Sequence, residues 1–372
     1  MKKLLLASAV AALSVSVSAA NAAPTVYGKA FVTANYVDAE LDGQSMDNTS
    51  NVNEDNSSVQ VSSHSSRIGF KGSEAMTANT DVIYQLEYGI AIDGSDRNFK
   101  SRDTYLGFAN KDLGEFRFGR NYSVTDYINN VSVNEGYWDN IGSSSLDVDS
   151  NDNDTLSEAL TLTDGGRVDN SIVWIAPKYN NLPLELALQY SADEAFVSDN
   201  NDRDSGFGAS LMFDQGTGYT AGVAYDKDMS ITGGEILRGS ASVDLSKYVA
   251  YPVTLGALYQ QVDFDSGDDE EKGLVVSAEM GLSNFARPAS VYLQYDKTDN
   301  LGGVNSNDSD QIVLGGKYMF KKNIIAHAYA GYNSADLESD LVVENNDNTP
   351  DTLFARGDAD VFAIGGGLEY KF

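Results

Sequence analysis

The stretch DVDSNDNDTLSE, residues 147–158, carries oxygen ligands at the intervals of a calcium loop. Asp147, Asp149, Asn151, Asn153 and Glu158 fall at positions 1, 3, 5, 7 and 12. Position 6, where such a loop turns sharply and wants glycine, is Asp152, and no helical pattern flanks the stretch. In a chain this rich in aspartate the spacing reads as coincidence. Diffuse attraction of divalent cations by acidic loops is the expectation instead. Nucleophilic chemistry is no better served. There are two histidines, His64 in SSHSS and His327, and no cysteine. No serine sits in a G-x-S-x-G elbow, and neither a phosphate loop nor a metal-spaced histidine pair is present. A Ser–His pair on a lipid-facing wall could make SSHSS a phospholipase site, but no other machinery accompanies it. The chain is expected not to be an enzyme and to use no cofactor and no metal.

What remains is charge sorted by parity. Lys29, Arg67, Glu87, Arg102, Arg167, Glu185, Asp296, Lys317, Glu369 and Lys371 lie on one parity of alternating segments. The other parity is Leu, Val, Ile, Tyr, Phe, Ala and Gly. A period of two is that of a strand with two unlike faces. In VIYQLEYGI, Val82, Tyr84, Leu86, Tyr88 and Ile90 oppose Gln85 and Glu87, and LPLELALQY, VYLQYDK and QIVLGGKYMF repeat the pattern. Sixteen such segments are read: 25–38, 58–73, 80–93, 99–110, 115–122, 167–177, 183–193, 204–214, 218–228, 235–245, 251–264, 272–283, 288–297, 309–320, 324–335 and 359–372.

Their connections alternate in length. EAMTAN, KDLG, KYNNL, QGT, NFAR and KKN are short, whereas 39–57, 123–166, 298–308 and 336–358 are long and acidic. An even number of strands puts both chain ends on the short side, where the last strand can pair with the first. The chain ends GGGLEYKF, so that apolar Leu368, Tyr370 and Phe372 alternate with charged Glu369 and Lys371 up to the last residue. A terminus that does not fray must be paired, and an aromatic end must rest on something apolar. Roughly ten-residue strands with one apolar face, aromatic ends and asymmetric loops describe an all-β, antiparallel transmembrane β-barrel. Closure satisfies every backbone donor in lipid, and sixteen strands leave an aqueous lumen. Phe372 would then be an interfacial aromatic on the closing strand.

Residues 1–22, MKKLLLASAVAALSVSVSAANA, read as a secretory signal peptide, with the barrel domain occupying 23–372. Cleavage would change the formal charge from −30 to −32. Such acidity argues against nucleic acid as a partner. Six prolines in 372 residues suit strands that need their backbone donors.

VYGKAFVTANY, SSRIGFKGSE, RDTYLGFANKDLGEFRFGRNY, GGRVDNSIVW and the final EYKF resemble the general diffusion porins of Gram-negative outer membranes. That resemblance implies a homotrimer embedded in outer-membrane lipid and lipopolysaccharide, whose third long loop folds into the lumen as a constriction. It implies that Tyr370 and Phe372 form the assembly signal read by the outer-membrane insertion machinery. Small hydrophilic solutes and ions would be the cargo. At the constriction, Lys29, Arg67, Arg102 and Arg167 fall at the family's basic wall positions. The loop NYSVTDYINNVSVNEGYWDNIGSSS lacks the Pro-Glu-Phe-Gly-Gly run of enterobacterial members, and Asp126, Glu135 and Asp139 are its candidate acids. Tyr122, Tyr127, Tyr137 and Trp138 would pack there or stack on sugars.

Arg120 shares parity with Phe116 and Phe118, which points it outward. A charge is costly against lipid, so it is expected at a subunit interface or near the rim, with Asp103 as neighbour. Small residues expected on the same outward face are Gly28, Ala30, Ala34, Gly107 and Ala109. A cation-preferring pore is the main reading. The alternatives are a plugged barrel acting as an adhesion or receptor protein through its acidic loops, and a sugar channel using the inward Tyr27, Phe31 and Tyr329.

Overall fold

The computed structural model describes residues 23–44, 51–139, 160–178, 182–192, 205–231, 233–265, 269–337, 343–344, 350–351 and 356–372. The calcium-like stretch 147–158 and the leader 1–22 lie outside them. Sixteen antiparallel strands form one closed sheet. They are β1 (Thr25–Gln44), β2 in two arms (Asn51–Ser63 and Arg67–Ala75), β3 (Thr80–Gly89), β4 (Lys100–Asn110) and β5 (Gly114–Tyr122). Next come β6 (Arg167–Ile175), β7 (Leu184–Ser191), β8 (Gly206–Asp214), β9 (Tyr219–Lys227), β10 (Gly234–Asp244) and β11 (Val253–Phe264). The circuit ends with β12 (Glu271–Leu282), β13 (Ala289–Asp299), β14 (Asp308–Lys321), β15 (Ile324–Leu337) and β16 (Arg356–Lys371).

The seam closes between β1 and β16, in register from Lys29 opposite Lys371 to Gln44 opposite Arg356. Phe372 continues the pairing, because the Gly28 N–H donates to the Phe372 carbonyl at 2.9 Å and the Phe372 N–H to the Gly28 carbonyl at 3.1 Å. Its ring lies over Gly28, where a Cβ would come within 2.5 Å of it. The aromatic end therefore rests on a glycine of the first strand, with half its surface still open.

The faces are inverted relative to a soluble sheet. Leu106 and Leu314 are each 60 % exposed on the outside, whereas Gln260, Gln294 and Asn333 are fully buried inside. Apolar side chains can remain outside where lipid is the solvent, and closure leaves no open edge. No helix among the described residues is long and apolar enough to cross a membrane.

β2 breaks around residues 64–66, where Ser65 is in the left-handed region (φ 49°). The ladder is replaced locally by a side chain: Ser66 Oγ accepts from the Phe31 N–H at 3.0 Å, and the His64 N–H donates to the Phe31 carbonyl at 3.0 Å. Both arms consequently pair with β1. β1 also runs six residues past the expected end, β2 begins seven earlier and β16 three earlier. The cause is visible in the register, where Glu40 sits opposite both Asp55 and Asp360. Beyond Tyr36 the outward residues are acidic while inward Val37, Ala39, Ala359 and Val361 are buried, so the ladder continues although its apolar face has changed sides.

Two expectations are corrected. Gly107 and Ala109 face inward, paired with Arg117 and Glu115. The ladder shifts register between Leu86 and Tyr88, which places Arg102 and Asp103 together on the inner wall. Arg120 lies at a second shift, between Gly119 and Asn121 against β6. There its Nη1 meets Asp169 Oδ1 at 2.7 Å, and its Nε donates to the Ser101 carbonyl at 3.1 Å. Its neighbour is thus Asp169, not Asp103. Asp103 is buried inside and bound to Arg167.

Candidate constriction and the loop that lines it

The loop after β5 runs as a collar around the inner wall, from β7 to β16. Side chains of successive strands grip its backbone. The Val124 N–H donates to Gln189 Oε1 at 3.0 Å, and Ser240 Oγ donates to the Ile128 carbonyl at 2.7 Å. Farther round, the Val133 N–H donates to Gln294 Oε1 at 2.8 Å and the Tyr137 N–H to Tyr329 Oη at 3.1 Å. Trp138 Nε1 donates to the Ala363 carbonyl of β16 at 3.3 Å. The loop then returns: Leu160 meets Asn333 of β15, Thr163 meets Glu271 of β12, and Asp164 meets Arg238 of β10. Buried backbone groups need partners, and the wall supplies them as amides and hydroxyls.

The seat is cut by glycines. A Cβ at Gly222 would come within 2.8 Å of Ile128, one at Gly256 within 2.9 Å of Val131, and one at Gly331 within 2.6 Å of Trp138. Gly208 and Gly273 make the same room for Val124 and Leu162. These glycines are on the inner face, not on the lipid-facing parity expected for Gly. Over this seat Val124, Ile128, Val131, Trp138, Leu160 and Leu162 are fully buried or nearly so. Trp138 is thereby removed from any sugar-stacking role.

The arc from β1 to β6, which the collar touches only at its two ends, carries the basic residues. Arg102 Nε donates to Glu87 Oε1 at 2.8 Å, and Arg67 Nε lies 3.8 Å from Glu87 Oε2. Tyr27 Oη donates to the same carboxylate at 2.9 Å. Arg167 pairs with Asp103 at 2.8 Å and stacks 3.8 Å from the centre of the Tyr122 ring. Lys29 is buried, its Nζ 5.4 Å from the centre of the Phe31 ring. All four expected basic residues therefore stand on one continuous inner arc, the three arginines held by acids and tyrosines that fix their direction and Lys29 beside the Phe31 ring.

The three loop acids are on the collar but are not equivalent. Asp126 lies 3.6 Å from Arg238, which is fully buried and also 3.5 Å from Asp164. Burial pushes the Asp126 carboxyl well up and Asp164 adds to it, while Arg238 and Arg167 oppose. Glu135 pairs with Lys317 of β14 at 3.0 Å. Asp139 is pushed up to about 6, first by burial and then by the Glu135 charge, against Lys29, Lys317 and Arg67. It retains surface open to the lumen, and water there moderates the push.

Arg238 was missed from the sequence. Its signal was present, since Ile236, Arg238 and Ser240 share the inward parity of β10, but no loop acid could be matched to it. Both histidines point inward: His64 Nε2 meets Thr33 Oγ1 at 2.7 Å, and His327 Nε2 meets Glu369 Oε2 at 2.9 Å.

The fold has counterparts. The profile of a family described as Gram-negative porin matches residues 7–338. Outer membrane porin N of Escherichia coli (strain K12) is 25% identical over 339 residues, covering 80% of this chain and 86% of the relative. Among solved structures, an anion-selective porin from Comamonas acidovorans aligns with TM-score 0.64 at 17% identity, covering 94% of this chain and 99% of that one. OmpT of Vibrio cholerae, solved in a trimer form, aligns with TM-score 0.57 at 14% identity over 94% and 99% of the two chains. Matched to the family over most of its length and closed into the same sixteen-stranded barrel, the chain belongs to the Gram-negative porins, channel proteins of the outer membrane.

Proposed function

We propose that the barrel is a passive, water-filled pore for small hydrophilic solutes and ions, and that it prefers cations. The observation that carries this reading is the placement of Asp126, Glu135 and Asp139 on a collar whose gap is the arc of Lys29, Arg67, Arg102 and Arg167. Charges of opposite sign across a narrow section make a transverse field that hydrated solutes can cross. Each side is partly self-neutralised, by Glu87 and Asp103 on the wall and by Arg238 and Lys317 under the collar. The large acidic excess of the chain must then act mainly at the mouths, where it concentrates cations. Reversal potential in a salt gradient tests the preference. The anion-selective description of the Comamonas porin belongs to that protein, and the likeness at 17% identity is one of fold.

A sugar-specific pore would need exposed aromatics along the lumen, but Phe31 and Tyr329 are buried. The plugged-barrel alternative draws no support from the relatives, which are porins by name.

Asp139 gives a pH test of the collar's contribution. A carboxyl raised to about 6 takes up its proton as pH falls through that value, which removes a negative charge. Cation preference should therefore decline between pH 7 and 5, and in Asp139→Asn it should be flatter over that window. An identical pH profile in the variant would remove Asp139 from the ion path.

Assembly as a homotrimer fits an outward surface with Ala30 and Ala34 on β1 and the Arg120–Asp169 pair across β5 and β6, and OmpT of Vibrio cholerae is trimeric in one solved form. Arg120→Ala should lower the temperature at which an unboiled oligomer dissociates on a gel. A species that is monomeric in mild detergent would overturn both the trimer and the role of Arg120.

A further inference from the structure

We infer that Glu135, His327 and Glu369 form a binding site for a zinc-like divalent transition-metal ion, joining the collar to the barrel seam. One ligand atom from each can be chosen so that all lie within 4.8 Å of one another. They come from three separate segments: the collar, β15 and β16. His327 and Glu369 are buried, with side chains 1 % and 4 % exposed, while Glu135 is 25 % exposed. The site is therefore closed on the wall side and open to the lumen.

Its supports are rigid. His327 and Glu369 project inward from paired strands, with His327 opposite Gly367, two residues from Glu369. Glu135 precedes a single turn, Gly136–Trp138. That turn is pinned by the Tyr137 N–H on Tyr329 Oη at 3.1 Å and by buried Trp138 on the Ala363 carbonyl. Gly136 has φ +70°, and a Cβ there would come within 2.4 Å of Tyr329 Oη, so this close approach needs glycine.

The ligand valences are available. Glu369 gives Oε1 to Lys371 at 2.8 Å and turns Oε2 to His327 Nε2 at 2.9 Å. Glu135 gives Oε1 to Lys317 at 3.0 Å. The two lysines favour ionised carboxylates and leave one oxygen of each for a shared ion. His327 Nε2 donates to the ionised Glu369 carboxylate in the metal-free protein, so an ion binding between them would take the Nε2 lone pair and move the ring proton to Nδ1, which is buried with no hydrogen-bond partner among the described residues. One imidazole and two carboxylates suit zinc or copper better than magnesium or calcium, which take oxygen ligands. Zinc holds such ligands at about 2.0–2.2 Å, so the three side chains would close inward by roughly an ångström, with lumen water in the fourth position. An ion there would add positive charge at the collar and tie Glu135 to the wall.

The inference rests on the channel reading for its effect on current but not for binding itself. Calorimetric titration of the purified, folded protein with ZnCl2 should show one saturable site per subunit. His327→Gln and Glu135→Gln should each weaken it by at least about tenfold, with unboiled gel mobility confirming assembly. Glu135→Gln lies outside the barrel strands and serves if the histidine variant fails to assemble. In planar bilayers ZnCl2 should reversibly lower conductance of the wild type and shift its reversal potential toward anions, with MgCl2 at equal concentration ineffective. No saturable zinc site, equal affinity in Glu135→Gln, or an equal response to magnesium would overturn the assignment. Normal wild-type conductance alongside any of these would leave the channel reading standing.

Discussion

Deleting Phe372 should sharply reduce the amount of folded barrel in the outer membrane. The structure assigns the residue two physical tasks. It supplies the last backbone pair of the seam, in both directions with Gly28, and its ring fills the space over that glycine. Two backbone hydrogen bonds contribute about 1 kcal/mol each, and partial burial of the ring about 1.5 kcal/mol or more. Together these make roughly 3–4 kcal/mol, more than a hundredfold in the equilibrium between closed and open seam. Recognition by the insertion machinery, implied by the family resemblance, would add to that loss. Phe285→Ser is the control, an aromatic on a short turn that is 54 % exposed. Phe372→Ser retains the backbone pair and should be intermediate. Gly28→Val should mimic the deletion from the other side, because its side chain takes the space of the ring. Heat-modifiable mobility of membrane extracts measures all four. Wild-type amounts of folded protein from the deletion would show that the seam closes without its last residue.

The barrel was legible because a strand in lipid writes its two faces into alternate residues. LELALQYS has Leu188 and Tyr190 outside and Gln189 and Ser191 buried inside, as alternation requires. Legibility stopped where the apolar face changed sides. DAELDGQ, residues 38–44, is paired on both sides and still alternates, but its charged residues Asp38, Glu40 and Asp42 stand on the parity that faces lipid lower down, while Ala39 is buried inside, so its continuation as β1 did not match a lipid-facing strand. It stopped again at the register shifts. A bulge reverses the parity of everything beyond it, which is why Gly107 and Ala109 were set on the wrong face and Arg120 was given Asp103 as a neighbour. The collar was legible only as a long segment containing acids. Its seat depends on Gly222, Gly256 and Gly331, from three different strands, lining up after the barrel has closed. Inward glycines on several strands were the available signal, but only closure shows that they line the path of one loop. Arg238 belongs to the same class, a charge whose acidic partners arrive from more than seventy residues away.

Removing a wall arginine should raise cation preference more than any change at the mouths of the pore. The chain's excess acid lies largely on loops, and its influence on a passing ion is screened beyond about 10 Å at 0.1 M salt and about 3 Å at 1 M. Arg67 and Arg102 are partly buried at the narrow section, where few counterions fit between them and a passing ion, so salt should weaken their effect much less. Arg102→Ala takes away the cation bound to Glu87 Oε1, leaving that carboxylate to Arg67 at 3.8 Å and to the Tyr27 hydroxyl. The lumen thereby loses one positive charge and exposes one negative one. For an ion passing at about 8 Å, a unit charge is worth about 0.5 kcal/mol even at the dielectric of bulk water. That is roughly a twofold rise in local cation concentration and a matching fall for anions, or about fourfold in the ratio of potassium to chloride permeability. Arg67→Ala should act in the same direction but less, since its hold on Glu87 is looser. Both should widen the section and raise single-channel conductance. Glu135→Gln should act oppositely, because it frees Lys317. The measurement is the reversal potential in a tenfold KCl gradient, repeated at low and high mean salt. The wild type should prefer cations, and its preference should weaken with salt while the difference between wild type and Arg102→Ala persists. Anion preference in the wild type would refute the charge argument. Unchanged potentials in both arginine variants would make Arg67 and Arg102 structural partners of Glu87, outside the ion path.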